Sequence, residues 1–194
     1  MTIPKILLEA FCGGLFASLL LFENLPAAQA TPRAWGETVG GLQMTVYLDE
    51  AVGAQSPVPT FRVELRNAGR NDLVVNLGTI LANGRKQYPN WVILLVTDAR
   101  GNTRRFHMRE PAHIFGRVDP FTVPLPAGST YSIPVDLENA YWPGEPLEVD
   151  YKFKPGIYSL EAQFTGRAAS ESGLDPFWTG TVASNQLRFE VAGH

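Results

Sequence analysis

Apolar and polar side chains alternate with period two over much of the chain. Residues 42–49 and 61–66 show the pattern first, and residues 131–137, 158–164 and 187–191 repeat it. Because successive residues of a strand point to opposite faces, this alternation predicts half-buried strands of antiparallel sheets. No stretch after residue 30 sustains a helical period, so the chain is predicted to be all-β.

Turn-forming residues separate these predicted strands. Residues 67–72 (Asn-Ala-Gly-Arg-Asn-Asp) predict a turn after which residues 73–77 return as the partner strand of residues 61–66. Residues 98–102 (Asp-Ala-Arg-Gly-Asn) predict a hairpin connection. About eight short strands punctuated by Gly and Pro favour an immunoglobulin-like Greek-key antiparallel β-sandwich.

One predicted strand is apolar at every position. Residues 91–96 (WVILLV) have no polar alternation, as expected for a central strand covered on both faces. Trp35 and Trp91 are also interpreted as core residues. The remaining predicted core side chains are Val46, Phe61, Val63, Leu65, Val75, Ile93, Leu95, Ile133, Tyr158, Leu160, Phe164 and Phe189.

The N-terminal segment has the composition of an export signal. Lys5 precedes an apolar run over residues 11–22, and Ala28 and Ala30 supply the small residues that a signal peptidase accepts. The run is shorter than the roughly 20 residues that cross a bilayer, so cleavage is favoured over a retained anchor. The predicted organisation is therefore a signal peptide over 1–30 and one immunoglobulin-like domain over 31–194. The mature domain is predicted to have no membrane span and to be periplasmic or extracellular.

Composition excludes several functions for the mature domain. Residues 1–30 contain one of the 16 basic and two of the 19 acidic side chains, so a net charge of about −2 remains. Such a charge does not favour nucleic acid as a partner. Cys12 is the only cysteine and lies in the signal, which removes disulfides and thiolate metal sites from the mature chain. No cofactor is predicted.

Catalytic motifs are absent from the sequence, and the protein is predicted not to be an enzyme. It contains no Gly-X-Ser-X-Gly elbow. Two alternatives stay open: a hydrolase that uses loop carboxylates, and a periplasmic metal-binding protein that uses His107 and His113. Arginines crowd the segment that contains both histidines, and their positive charge opposes a bound cation.

Aromatic side chains in irregular segments, together with two arginines that follow the predicted hairpin connection, are the candidate partner-binding residues. Flat rings give a large contact area at a small entropic cost, and they stack on sugars or anchor proteins when exposed. If buried, the same rings close the ends of the sandwich, and we expect this for at least one of them. Charge is uneven as well. The charged side chains of residues 100–117 are mostly arginines, and those of residues 136–150 are all acidic. A protein or a glycan is the expected partner, and the candidate residues are Tyr141, Trp142, Phe177, Trp178, Arg104 and Arg105.

Several short motifs recur in an order that is similar to known domains. They are Trp35-Gly-Glu, Gly41-Leu-Gln, the turn at 67–72, Leu125-Pro-Ala-Gly, Lys154-Pro-Gly-Ile-Tyr and Ser184-Asn-Gln-Leu-Arg-Phe. In this the chain resembles exported bacterial immunoglobulin-like domains of uncharacterised function. Its layout is also similar to the intracellular proteinase inhibitor family and to bacterial adhesion modules. The resemblance implies a sandwich that binds or supports other molecules, and it assigns no functional residue.

Overall fold

Twelve strands make up the regular structure of the described residues. The computed structural model describes residues 33–49, 57–81, 86–108, 116–138, 141–143, 151–169 and 176–193, with the backbone alone at residues 142 and 143. All of them belong to the compact unit Arg33–His194, and the predicted signal lies outside them. The strands are β1 (Leu42–Leu48), β2 (Phe61–Asn67), β3 (Leu73–Leu81), β4 (Lys86–Tyr88), β5 (Val92–Asp98), β6 (Thr103–Met108), β7 (Asp119–Leu125), β8 (Thr130–Val135), β9 (Tyr141–Pro143), β10 (Gly156–Gly166), β11 (Gly180–Ala183) and β12 (Leu187–Val191).

The strands form three sheets, and within each sheet the paired strands are antiparallel. The orders are β1-β2-β8, β4-β3-β7 and β11-β10-β5-β6-β9, and β12 also pairs with β10. The predicted all-β class is thus confirmed, and the arrangement is consistent with a β-sandwich.

Side chains from all three sheets converge on one hydrophobic core. Phe61 of β2 meets Phe189 of β12 edge to face, with ring centroids 4.9 Å apart, so the first sheet packs on the largest one. Most predicted core residues are confirmed as buried. They are Val46, Phe61, Val63, Leu65, Val75, Ile133, Tyr158, Leu160, Phe164 and Phe189.

Strand β5 has one core face, so its expected burial on both faces is wrong. Val92, Leu94 and Val96 are buried, whereas Ile93 and Leu95 point to the other face and are half-buried. Across the ladder, Leu95 lies between Arg105 and Glu161, and Ile93 pairs with Gln163. An apolar run has no period of its own, and these polar neighbours determine which face is outside.

Two tryptophans predicted in the core are only partly buried. The Arg66 guanidinium lies 4.3 Å from the ring centroid of Trp35, and that of Arg167 lies 4.1 Å from the ring of Trp91. Each ring is therefore covered by a cation on one side, a favourable contact for an aromatic face.

The turn after β2 is a corner between sheets, so the predicted pairing of residues 61–66 with 73–77 is wrong. β2 pairs with β1 and β8, while β3 pairs with β4 and β7. Asn67 is fully buried at this corner. Its Nδ2 donates to the carbonyls of Asn71 and Leu125, each at 2.8 Å, and its backbone carbonyl accepts from Gly128 N at 2.8 Å. One side chain thus connects the β2–β3 corner with the β7–β8 corner.

Candidate functional site: a basic cleft beside Ile157

A cleft lined by basic side chains lies where the β5–β6 hairpin meets the start of β10. It has a volume of about 320 Å³ and is lined by Arg100, Arg104, Lys152 and Lys154, among others. All of these cationic side chains are exposed. Asp98 is the acid among the described lining residues, so the described lining has an excess of positive charge.

Hydrogen bonds within the β5–β6 hairpin occupy the carboxylate of Asp98. Asn102 donates from Nδ2 to Oδ2 at 2.9 Å and from its backbone N to Oδ1 at 2.9 Å. The backbone N of Arg100 donates to Oδ1 at 2.8 Å. The side-chain bond from Asn102 is the largest cause that lowers the pKa of Asp98, followed by its backbone bond. This acid is therefore engaged by its own turn, as the sequence pattern of the hairpin predicts.

Lys152 and Lys154 reach the cleft because the segment before β10 alternates like a strand. Tyr151 and Phe153 turn inward, and both rings lie 5.5 Å from the ring of Phe106. The lysines between and after them point to solvent. The hydroxyl of Tyr158 donates to the Lys154 carbonyl at 2.9 Å, which holds the end of this segment against β10. The sequence reasoning missed these lysines, although the alternation Tyr-Lys-Phe-Lys was the signal that identifies them.

Arg104 and Arg105 lie on opposite faces of β6. Arg104 pairs with Val96 and Arg105 with Leu95, so the period of the strand separates them. Arg104 joins the cleft, where its guanidinium lies 5.0 Å from the ring centroid of Tyr151. Arg105 is exposed on the outer face of the sheet. The two candidates do not form one site.

A second cleft, of about 370 Å³, adjoins the first. Its lining includes Ser159, Gln186 and Arg188. Both clefts share Asp98, Ala99, Ile157 and Tyr158. Ile157 is exposed at 42%, which places an apolar side chain on the boundary between the two clefts.

Two of the aromatic candidates are core residues. Tyr141 is 1% exposed and Trp178 is 5% exposed. The Tyr141 hydroxyl is buried without a hydrogen-bond partner among the described residues, and burial raises its pKa. Trp178 stacks on Phe164 with centroids 5.5 Å apart and donates from Nε1 to the Val39 carbonyl at 3.0 Å. These rings offer no surface to a partner.

The other two aromatic candidates have different outcomes. Phe177 is half-buried, and its backbone bridges to Val74 of β3. Trp142 pairs with His107 through the backbone of β9, and its side chain lies outside the described residues. The aromatic segments therefore do not form a shared surface in the described part of the chain.

Metal ligation rests on residues that are only partly described. His107 is half-buried on β6, and His113, the other predicted ligand, lies outside the described residues. The first acid after His113 along the chain, Asp119, accepts a hydrogen bond from Arg117 Nε at 2.6 Å. Within the described ranges, no group of three His, Cys, Asp or Glu side chains is placed to hold a metal ion.

Searches against known proteins add no assignment. The chain matches no protein-family model and no curated sequence. In the ranges that the structure describes, no helix is long and apolar enough to cross a membrane.

Proposed function

We propose that this chain is an exported, non-enzymatic binding module with an immunoglobulin-like Greek-key topology, and that its basic cleft binds an anionic group of a partner. The observation that carries the proposal is the convergence of Arg100, Arg104, Lys152 and Lys154 on one cleft. Such a concentration of positive charge on a protein with a sequence pI of about 5.6 is a local feature, and it attracts anions without making the whole surface basic.

The start of the folded unit supports export with cleavage. Arg33 Nη1 pairs with Glu64 Oε2 at 2.5 Å, and its guanidinium lies 4.0 Å from the ring centroid of Tyr47. The unit that contains the sheets begins at Arg33. Cleavage after Ala30 would leave Arg33 and these contacts in the mature chain.

The β5–β6 hairpin and residues 151–155, the segment before β10, preorganise the cleft. Arg100 lies in the turn that the Asp98 carboxylate closes. Lys152 and Lys154 extend from a segment whose alternate rings, Tyr151 and Phe153, pack against the core. Cations on a packed framework lose less conformational freedom on binding than cations on unpacked loops.

The test is a titration of the mature protein, residues 31–194, with an oligo-glutamate peptide and with a sulfated oligosaccharide. The double variant Lys152→Gln/Lys154→Gln should bind the anions roughly five- to tenfold more weakly, because each exposed charge contributes up to about 1 kcal/mol. Binding to the wild type should also weaken as salt is added.

The matched control is Arg70→Gln/Lys86→Gln, which removes the same charge from exposed positions outside the cleft. This variant should retain nearly wild-type affinity. An equal loss in both double variants means that net charge alone attracts the anions, and the proposal is then wrong.

A further inference from the structure

Ile157 is an apolar side chain exposed in the middle of a basic surface. Among the described residues, the exposed large hydrophobic side chains are Leu48, Val118 and Ile157. Only Ile157 among these lines the two clefts described above. An exposed apolar residue alone needs no explanation, but one at the boundary of two concave sites is placed for contact.

The strand pattern makes this exposure specific. Tyr158, Leu160 and Ala162 of β10 point into the core. The side chains that alternate with them after Ile157 are Ser159, Glu161 and Gln163, which are polar. Ile157 is therefore the apolar member of an otherwise polar outer row, and the core does not require it.

Basic side chains lie in both clefts beside Ile157. The first cleft contributes its arginines and lysines, and the second contributes Arg188. In the part of the chain that the structure describes, the acids beside Ile157 are Asp98 and Glu190. The carboxylate of Asp98 is engaged by its hairpin, and Glu190 is the cross-strand neighbour of Ile157. Among the described residues of this surface, cations outnumber acids. An apolar centre with a charged rim is the arrangement of a protein-binding hot spot.

The rings in the first cleft are poorly placed for a sugar. Tyr158 is only 9% exposed. Tyr151 is half-buried, with Arg104 over one face and the rings of Phe106 and Phe153 in T-shaped contact with it. Stacking on carbohydrate needs an open aromatic face, whereas Tyr158 is buried and one face of Tyr151 is covered by Arg104.

We infer that the surface formed by both clefts and Ile157, here called the Ile157 surface, binds an acidic protein segment whose apolar side chain covers Ile157 while flanking carboxylates contact the cations. This inference rests on the proposed function and narrows its partner to a peptide. Burial of one apolar side chain contributes about 1 kcal/mol or more, which is about fivefold in affinity.

The test uses a pair of peptides, one with a central Leu flanked by Glu residues and one with Ser in place of that Leu. The wild-type mature protein should bind the Leu peptide roughly five- to tenfold more tightly. Ile157→Ser should bring both peptides to the same, weaker affinity. Leu48→Ser, which changes a residue exposed at 40% outside both clefts, should preserve the difference, and thermal melting checks that both variants are folded.

The outcomes separate the inference from the proposed function. If both peptides bind equally and Lys152→Gln/Lys154→Gln weakens both, the basic cleft binds anions but the role of Ile157 is wrong. A sulfated oligosaccharide that binds more tightly than either peptide, with no effect of Ile157→Ser, overturns the inference in favour of a glycan. If no anion binds the wild type, the inference and the proposed function both fall.

Discussion

Strand β10 begins at Gly156 and ends at Gly166, and the two glycines have opposite surroundings. At one end, Gly166 lies directly under Trp178, where an added Cβ would be 2.6 Å from the Trp178 carbonyl oxygen. At the other end, Gly156 has nothing within 4 Å of such a Cβ, and Ile157 beside it is exposed. One end is filled by a ring, and the other is left open between two clefts.

This difference reverses the roles that residue type alone suggests. A tryptophan next to a proline–phenylalanine pair is a candidate contact residue in the sequence. Trp178 is nevertheless buried, and its Nε1 donates a hydrogen bond to the Val39 carbonyl. An isoleucine in a strand is a candidate core residue, yet Ile157 is exposed. Whether a large apolar side chain is core or surface depends on what the neighbouring strands leave free.

The largest expected effect tests the closed end. Trp178→Ala should lower the free energy of unfolding by about 3–5 kcal/mol, because it removes a buried ring and leaves a cavity beside Phe164. Trp35→Ala is the control, since that ring is half-buried under Arg66, and it should cost about 1–2 kcal/mol. Urea denaturation measures both, and equal costs would contradict the contrast between a core and a peripheral tryptophan.

An intermediate effect tests why Gly166 is glycine. Gly166→Ala should destabilise by about 1–3 kcal/mol because its Cβ overlaps Trp178. In the Trp178→Ala background this cost should shrink by about 1 kcal/mol, the coupling expected of residues in contact.

Gly156→Ala is the matched change at the open end. Its cost arises from the backbone, since φ is +150° there, and strain of this kind does not depend on Trp178. Denaturation of the double variants measures the coupling. A coupling as large for Gly156 as for Gly166 would show that the two ends are not independent.

The smallest effect concerns the hairpin at the open end. Asp98→Asn keeps the oxygen that accepts from the backbone but removes the charge, so it should destabilise the fold near neutral pH. Because the folded pKa of Asp98 lies below the ordinary 3.8, its contribution is fully present above that pH and is lost as the pH falls through the lowered value.

Stability measured from about pH 6 to about pH 2 should therefore show the variant and the wild type converging at the acidic end. Affinity for oligo-glutamate should not fall, because the substitution removes a negative charge from the cleft. A stability difference that is constant across this range would contradict the role given to the Asp98 carboxylate.

Local patterns predicted much of the fold. Phe189 and Val191 are buried while Arg188 and Glu190 are exposed, as the alternation in β12 indicates. Asp98 and Gly101 close the β5–β6 hairpin, with Gly101 at φ 85°, as turn chemistry indicates. Both predictions depend only on residues close in sequence.

Predictions failed where one local pattern fits two arrangements. The apolar run in β5 does not distinguish Leu94, which is in the core, from Leu95, which is not. The turn at 67–72 serves a hairpin or a corner equally well, and the choice of a corner depends on Asn67 bonding to Leu125, far away in sequence.

By itself, the sequence determined that the described chain is built of strands, where several turns fall, and which side chains alternate. These properties follow from backbone sterics and the period of a strand, which act between near neighbours. Only the tertiary structure decided that Lys152 and Lys154 meet Arg100 and Arg104, and that Ile157 lies between two clefts. The cleft forms where β10 pairs with β5, and such long-range pairing is determined by packing of the whole core rather than by any single segment.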